Sequence, residues 1–193
     1  MAFPNIELKN RKEKRMERVP AYPKFLTEEV AKQAMEEIGL HHMSITSIPL
    51  KRMMCHVVIL VPAMFTGGKY PEDYRIEPRL LYERSFAKEQ WERDYTEIAR
   101  CKALQLWHNR NDDRTDCMPH LLFPGDTPYW GGVKRQGIVV ACSGVQPYFD
   151  KMISGMVADT CIALAYHHYA EWAKENEKKE IRLDFLPEPE CED

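Results

Sequence analysis

Six cysteines are present, but none forms a C-x-x-C pair. Cys55, Cys101, Cys117, Cys142, Cys161 and Cys191 fall at wide, irregular intervals, so neither a structural zinc site nor a thioredoxin-type motif is spelled out. Reduced thiols are the default for such a pattern. Long apolar runs are also missing. The longest, Val57 to Phe65, is far below the roughly 20 residues of a spanning helix, which argues against a membrane partner. Charge of one sign is absent too. With 27 Lys+Arg against 30 Asp+Glu the net charge is -3, so no overall field draws the chain to nucleic acid or to an anionic membrane. The N-terminal stretch places its charges after a few apolar residues, the reverse of a signal peptide's order, and a cytoplasmic protein is expected.

Several catalytic signatures are lacking. Gly131, Gly132 and Gly137 do not make G-x-G-x-x-G, and the P-loop pattern does not occur, so neither dinucleotide nor P-loop phosphate binding is supported. Ser143 is flanked at the two critical positions by Ala141 and Val145, which rules it out as a nucleophile elbow. There is no internal repeat.

What is present fits one compact domain. The 193 residues are 44% hydrophobic and 30% charged, enough apolar material for a sizeable core. Residues 1–25 read as an arm, residues 26–180 as a single domain, and residues 181–193 as a C-terminal extension. In LTEEVAKQAMEEIGL, Thr27 can N-cap a helix, Glu28 and Glu29 suit its positive end, and Gly39 is the expected stop. Met43 to Ile48 and Met54 to Val61 read as strands. Composition changes between about 63 and 94, which reads as an insertion with a charged helical stretch starting near Ser85. A helix is expected through YTEIARCKALQLWHN, a strand over Ile138 to Cys142, and a long helix from about Tyr148 to Lys178. Helices and strands do not alternate strictly, so an α+β fold with an antiparallel sheet is preferred to a doubly wound one.

Four groups of residues are candidates for chemistry. Ser143-Gly144 ends a strand before a helix, where a small residue lets a ligand's acid group reach backbone N–H groups; a simple tight turn is the plainer account. Lys102 carries an ammonium that could pair with a ligand acid, serve as a base if desolvated, or snorkel to solvent. Tyr129, Trp130 and Tyr148 bracket the same region and suit stacking on a flat ligand or a dimer contact. His41, His42 and His167 are possible ligands for haem iron or another metal. His167 stands four residues from Glu171, however, a spacing more often found on a solvated helix face. His56, inside a strand, reads as a packed residue.

The segment PGDTPYWGGVKRQGIVVACSGVQPYFDKMISGMVA resembles the haem-degrading or GlcG-like family, which includes secreted haem-binding proteins and the C-terminal domain of one type of cobalamin adenosyltransferase. The resemblance rests on Pro124-Gly125-Asp126, Pro128, Gly137, Cys142-Ser143-Gly144 and Asp150, with Leu26-Thr27, Ile98-Ala99 and Lys102-Ala103 upstream. Departures are Asp126 for a second Gly, Cys142 for Val, and Val61-Pro62-Ala63 in place of a Val-Val-Asp-x-x-Gly turn. The resemblance implies a profilin-like antiparallel sheet of about five strands with helices on it. It also implies a homo-oligomer with a small-molecule pocket for haem or another tetrapyrrole. A metal-independent enzyme acting on a small aromatic or organic acid in a catabolic pathway, and an oligomeric structural module, are the alternatives.

Overall fold

The computed structural model describes residues 20–40, 54–65, 75–111 and 118–176. The expected strand at Met43 to Ile48, His41 and His42, most of the arm and the C-terminal extension lie outside the described residues. The protein is α+β, with an antiparallel sheet and helices packed on it.

Strand β1 covers Pro20–Ala21, β2 Cys55–Phe65, β3 Arg75–Phe86, β4 Gly132–Arg135 and β5 Ile138–Ser143. Every pairing is antiparallel. Four strands lie in the order β3, β2, β5, β4, and β1 adds a two-residue pairing to Met64 and Phe65 at the end of β2 that β5 leaves open. A bulge interrupts the β2/β3 ladder between Ile59 and Leu60. β4 and β5 are joined by a tight hairpin whose Gln136 and Gly137 have φ of 44° and 88°. Two successive residues at positive φ match the twist of the flanking strands, as in type I′ turns.

Helix α1 runs Glu28–Ala34, α2 Tyr95–Trp107 and α3 Pro147–Asn176. They cover both faces of the sheet. Cys55, Val57, Ile59 and Val61 of β2 join Val140 and Cys142 of β5 in a core beneath α1 and α3. The intervening Val58 and Leu60 pack with Val139 and Ala141 against Ala99, Ala103 and Leu106 of α2. Both faces of β2 are therefore buried, which is why its sequence reads as a continuous apolar run rather than an alternation. Each buried Val, Ile and Leu among them contributes about 1.5–3 kcal/mol by leaving water.

The Thr27 hydroxyl accepts from Val30 N–H at 3.4 Å and caps α1 as its sequence indicates. Gly39 does not stop the helix: Met35–Leu40 continue it as a π-helical turn. Nor does a long helix start near Ser85, where only a three-residue 3-10 turn, Lys88–Gln90, forms. Residues 75–86 form β3, paired with β2 along its length, and 63–65 complete β2, so the stretch from 63 to 94 supplies one whole strand of the sheet. The charged residues misled because β3 has no second strand neighbour among the described residues, and an edge strand carries charge readily. The next long helix waits for Asp94, whose carboxylate accepts from Thr96 N–H and Glu97 N–H and caps α2.

Candidate functional site

The buried polar residues gather where β5 ends and α3 begins. Lys102 sits on the sheet-facing side of α2 and is 1% exposed. Its Nζ donates to the Cys142 carbonyl at 2.8 Å and to Asp150 Oδ2 at 3.1 Å. Asp150, also buried, uses its other oxygen to accept from Val145 N–H at 3.1 Å and from the Cys142 thiol at 3.6 Å. One carboxylate thus joins α2, the end of β5 and the turn into α3. Burial pushes the Asp150 carboxyl above its ordinary range, with Lys102 pulling the other way. Burial also drives the Cys142 thiol far up, so it is held as the neutral S–H donor that Asp150 accepts.

Two glycines make this closure possible. Gly131 has φ of 124°, and a Cβ there would lie 2.5 Å from Asp150 Cβ. Gly144 has φ of 135°, and a Cβ there would lie 2.4 Å from the Met54 carbonyl oxygen. The close approach allowed by Gly144 is therefore to the chain's own strand β2, and both Ser143 and Gly144 are buried.

A loop from Gly125 to Gly131 crosses α2 beside Lys102. The Cys101 thiol donates to the Gly125 carbonyl, and Gln105, fully buried, pairs with both the N–H and the carbonyl of Thr127. Arg110 and Asp126 pair at the loop's start, and Asp126 also accepts from Phe123 N–H. At its end Ser154 Oγ donates to the carbonyls of Gly131 and Asp150. This loop carries Tyr129 and Trp130 as expected. Tyr129 is exposed, with its hydroxyl accepting from Arg93 at 2.8 Å, while Trp130 is half-buried. Tyr148 is exposed and lies tilted against Phe149, with ring centres 4.8 Å apart. Ser143, Gly144, Lys102 and the loop thus belong to one end of the sheet.

No family model, curated protein or solved structure matches the chain.

His167 stands apart from this region. It lies well along α3, with its side chain 62% exposed, and meets Glu171 at 3.3 Å on the solvated face. Among the described residues, no three His, Cys, Asp or Glu side chains converge as a metal site. An open concavity of about 490 Å³, lined by Glu29, Lys32, Gln33, Glu36 and Glu37, lies on α1, across the sheet from α2. It holds none of the expected residues and is a mixed-charge helix surface.

Sequence reasoning missed Gln105, whose position on the apolar side of α2 was the available signal. It also missed a second polar cluster at the same end of the sheet, on the β3 side of β2. There His56, 3% exposed, contacts Ser85 Oγ through Nδ1 at 3.0 Å and Glu83 Oε2 through Nε2 at 3.3 Å. Arg100 of α2 donates to both oxygens of Glu83. Burial lowers the His56 pKa, and Arg100 holds the Glu83 carboxyl below its usual range.

Proposed function

We propose that the chain is a small-molecule binding protein of the GlcG-like, profilin-like type, taking a ligand with an acid group at the Lys102 end of the sheet. An antiparallel sheet with helices on both faces supports the fold half of this reading. One observation carries the ligand half. The Lys102 ammonium directs two of its three N–H groups to Cys142 and Asp150, leaving the third without an acceptor among the described residues. A buried donor is worth most when it is paired, and a ligand carboxylate reaching Lys102 beneath the Gly125–Gly131 loop would complete its set. Tyr129 and Trp130 on that loop and Tyr148 at the start of α3 would cover an aromatic acid bound there.

Haem is the other ligand that the resemblance implies. The described residues do not fit it: His167 is solvated and paired with Glu171, and the space beside Gly144 is filled by β2. His41 and His42 lie outside the described residues.

Calorimetric titration of the protein with benzoate, with acetate and with hemin separates the readings. Saturable binding of a carboxylate, weakened in a Lys102→Arg variant that keeps the charge but not the geometry, is the expected result. A saturable, shifted Soret band with hemin, and no carboxylate binding, would replace this reading with the haem one. Homo-oligomeric assembly belongs to the same proposal, and light scattering should give a mass above the 22.7 kDa of one chain.

A further inference from the structure

The His56 cluster has a polarity that its surroundings dictate. The β2/β3 register sets His56 opposite Ser85 and Val58 opposite Glu83, so the two β3 side chains flank the imidazole on one face. Glu83, ionised and gripped by Arg100, can only accept a hydrogen bond, so the imidazole must present N–H at Nε2. Burial keeps the ring neutral, so Nδ1 carries no proton and can only accept. Ser85 must therefore donate its hydroxyl proton to Nδ1. A hydroxyl aimed at a neutral imidazole that a carboxylate orients is the arrangement that activates serine nucleophiles, on whatever fold it occurs.

The cluster is also held in place. Trp91 packs edge-on against His56 at 6.0 Å between ring centres, and its indole N–H is fixed by the Phe86 carbonyl at 3.1 Å. Ser85 itself is partly exposed, on the strand at the sheet's edge. The charges facing His56 are Glu83 from β3, Arg100 from α2 and Asp94 at the start of α2. Arg100 neutralises Glu83, which leaves no free cation among these groups to attract an anionic substrate such as a phosphate ester. An uncharged carboxylic ester suits the site better.

We propose that Ser85 is a nucleophile for acyl transfer from uncharged carboxylic esters, with His56 as its general base and Glu83 as the positioning residue. In the forward step Ser85 Oγ bonds to the ester carbonyl carbon as its proton passes to His56 Nδ1. The carbon–oxygen bond to the leaving alcohol then breaks, and His56 returns the proton to that alcohol. Water, deprotonated by the same ring, hydrolyses the acyl-serine to a carboxylic acid and free Ser85. This site lies at the same end of the sheet, with His56 opposite Ser143 in the β2/β5 register, but it shares no side chain with the Lys102 cluster and does not rest on the ligand proposed there.

The test uses p-nitrophenyl acetate with the full chain, following nitrophenolate release and mapping acetylation by peptide mass spectrometry. The expected result is an acetyl group on Ser85, with the rate levelling off once His56 is neutral. Ser85→Ala should remove that adduct, and its removal of one edge-strand hydroxyl should leave the circular dichroism spectrum intact. His56→Gln should slow acylation by about 100-fold or more. Glu83→Gln should slow it too, by allowing the wrong tautomer, and Glu83→Asp should restore part of the rate. Because His56 is buried and its replacement can unfold the chain, the pH profile of the unmodified protein is the independent readout. Absence of acetyl-Ser85, or acylation of Ser85 whose rate ignores the protonation of His56, overturns the proposal.

Discussion

Replacing Lys102 by Met keeps the apolar stem of the side chain and removes only the ammonium, which from sequence alone looks harmless. Its surroundings reverse that expectation. Asp150 is 3% exposed and faces Lys102 at 3.1 Å, so the variant leaves a buried carboxylate without its cation. Breaking one side of such a pair costs about 3–5 kcal/mol, out of a total stability of about 5–15 kcal/mol for a domain. The lone Asp150 has one escape, which is to take up a proton. Its folded pKa, already raised by burial, rises further without Lys102, while the unfolded value stays near 3.8. A carboxyl whose folded pKa is raised loses stability as pH increases from the unfolded value through the folded one. The deficit of Lys102→Met relative to the unmodified protein should therefore be largest near neutral pH and shrink on acidification, by at most about 1.4 kcal/mol per pH unit. Asp150→Asn in the same chain removes the stranded charge while keeping an acceptor for Val145 N–H. The double variant should be more stable than Lys102→Met at neutral pH and lack its extra pH slope. Urea denaturation followed by circular dichroism across pH 5–8 (roughly, the range of greatest stability) measures all of this. A loss below about 1 kcal/mol for Lys102→Met, typical of a surface pair, or a double variant no more stable than the single, would refute the reasoning.

Gly144→Ala and Gly137→Ala both place a side chain at positive φ, but only Gly144 also faces backbone at 2.4 Å. Gly137→Ala should cost about 1–2 kcal/mol and Gly144→Ala clearly more in the same urea assay; equal costs would mean that the contact with Met54 is not tight. The His56 pKa is lowered on folding, so the unfolded chain binds the extra proton first, and stability should fall as pH drops below 6.5, until the folded ring is protonated as well. Glu83, also lowered, extends the loss below pH 4.5, and thermal melts of His56→Gln should lose the upper part of this dependence. Burial pushes the Cys161 thiol up to about 12 and Cys142 well above its ordinary value; Cys101 is also raised, by burial and by Glu97 and Asp126, but it alone of the described cysteines is partly exposed. Iodoacetamide on the folded protein, mapped by peptide mass spectrometry, should therefore modify Cys101 ahead of Cys55, Cys142 and Cys161.

The helices were legible because they carry local signals, Thr27 as the cap of α1 and apolar spacing along α2, while Asp94 and Pro147, which open α2 and α3, went unread. β2 and β5 were legible as apolar runs because both of their faces are covered. β3 was not, since its residues answer to β2 across the sheet and little in RIEPRLLYERSF alternates locally. Lys102 stood out because the resemblance places a Lys there, yet its partner was invisible. Asp150 serves adequately as a helix-terminal acid, and only the strand end between them brings the two together. His56, Ser85 and Glu83 share no sequence spacing at all. Their meeting depends on the β2/β3 register, including the bulge at Ile59/Leu60, which propensity and periodicity do not encode.

The sheet is two hairpin-like pairs joined along a single seam, and this arrangement governs how it can assemble. β4 and β5 are neighbours in sequence with a preorganised two-residue turn, a unit that forms on the microsecond scale. The β2/β5 seam instead joins His56 to Ser143 and Leu60 to Val139, with β3, α2 and the loop all lying between them in the chain. Closing it demands that this whole stretch be gathered before the central contacts form, an entropic toll that falls on the folding rate. Substitutions at Val58 or Val140 should therefore slow folding, while those confined to the Gln136-Gly137 turn act on a step that is already fast.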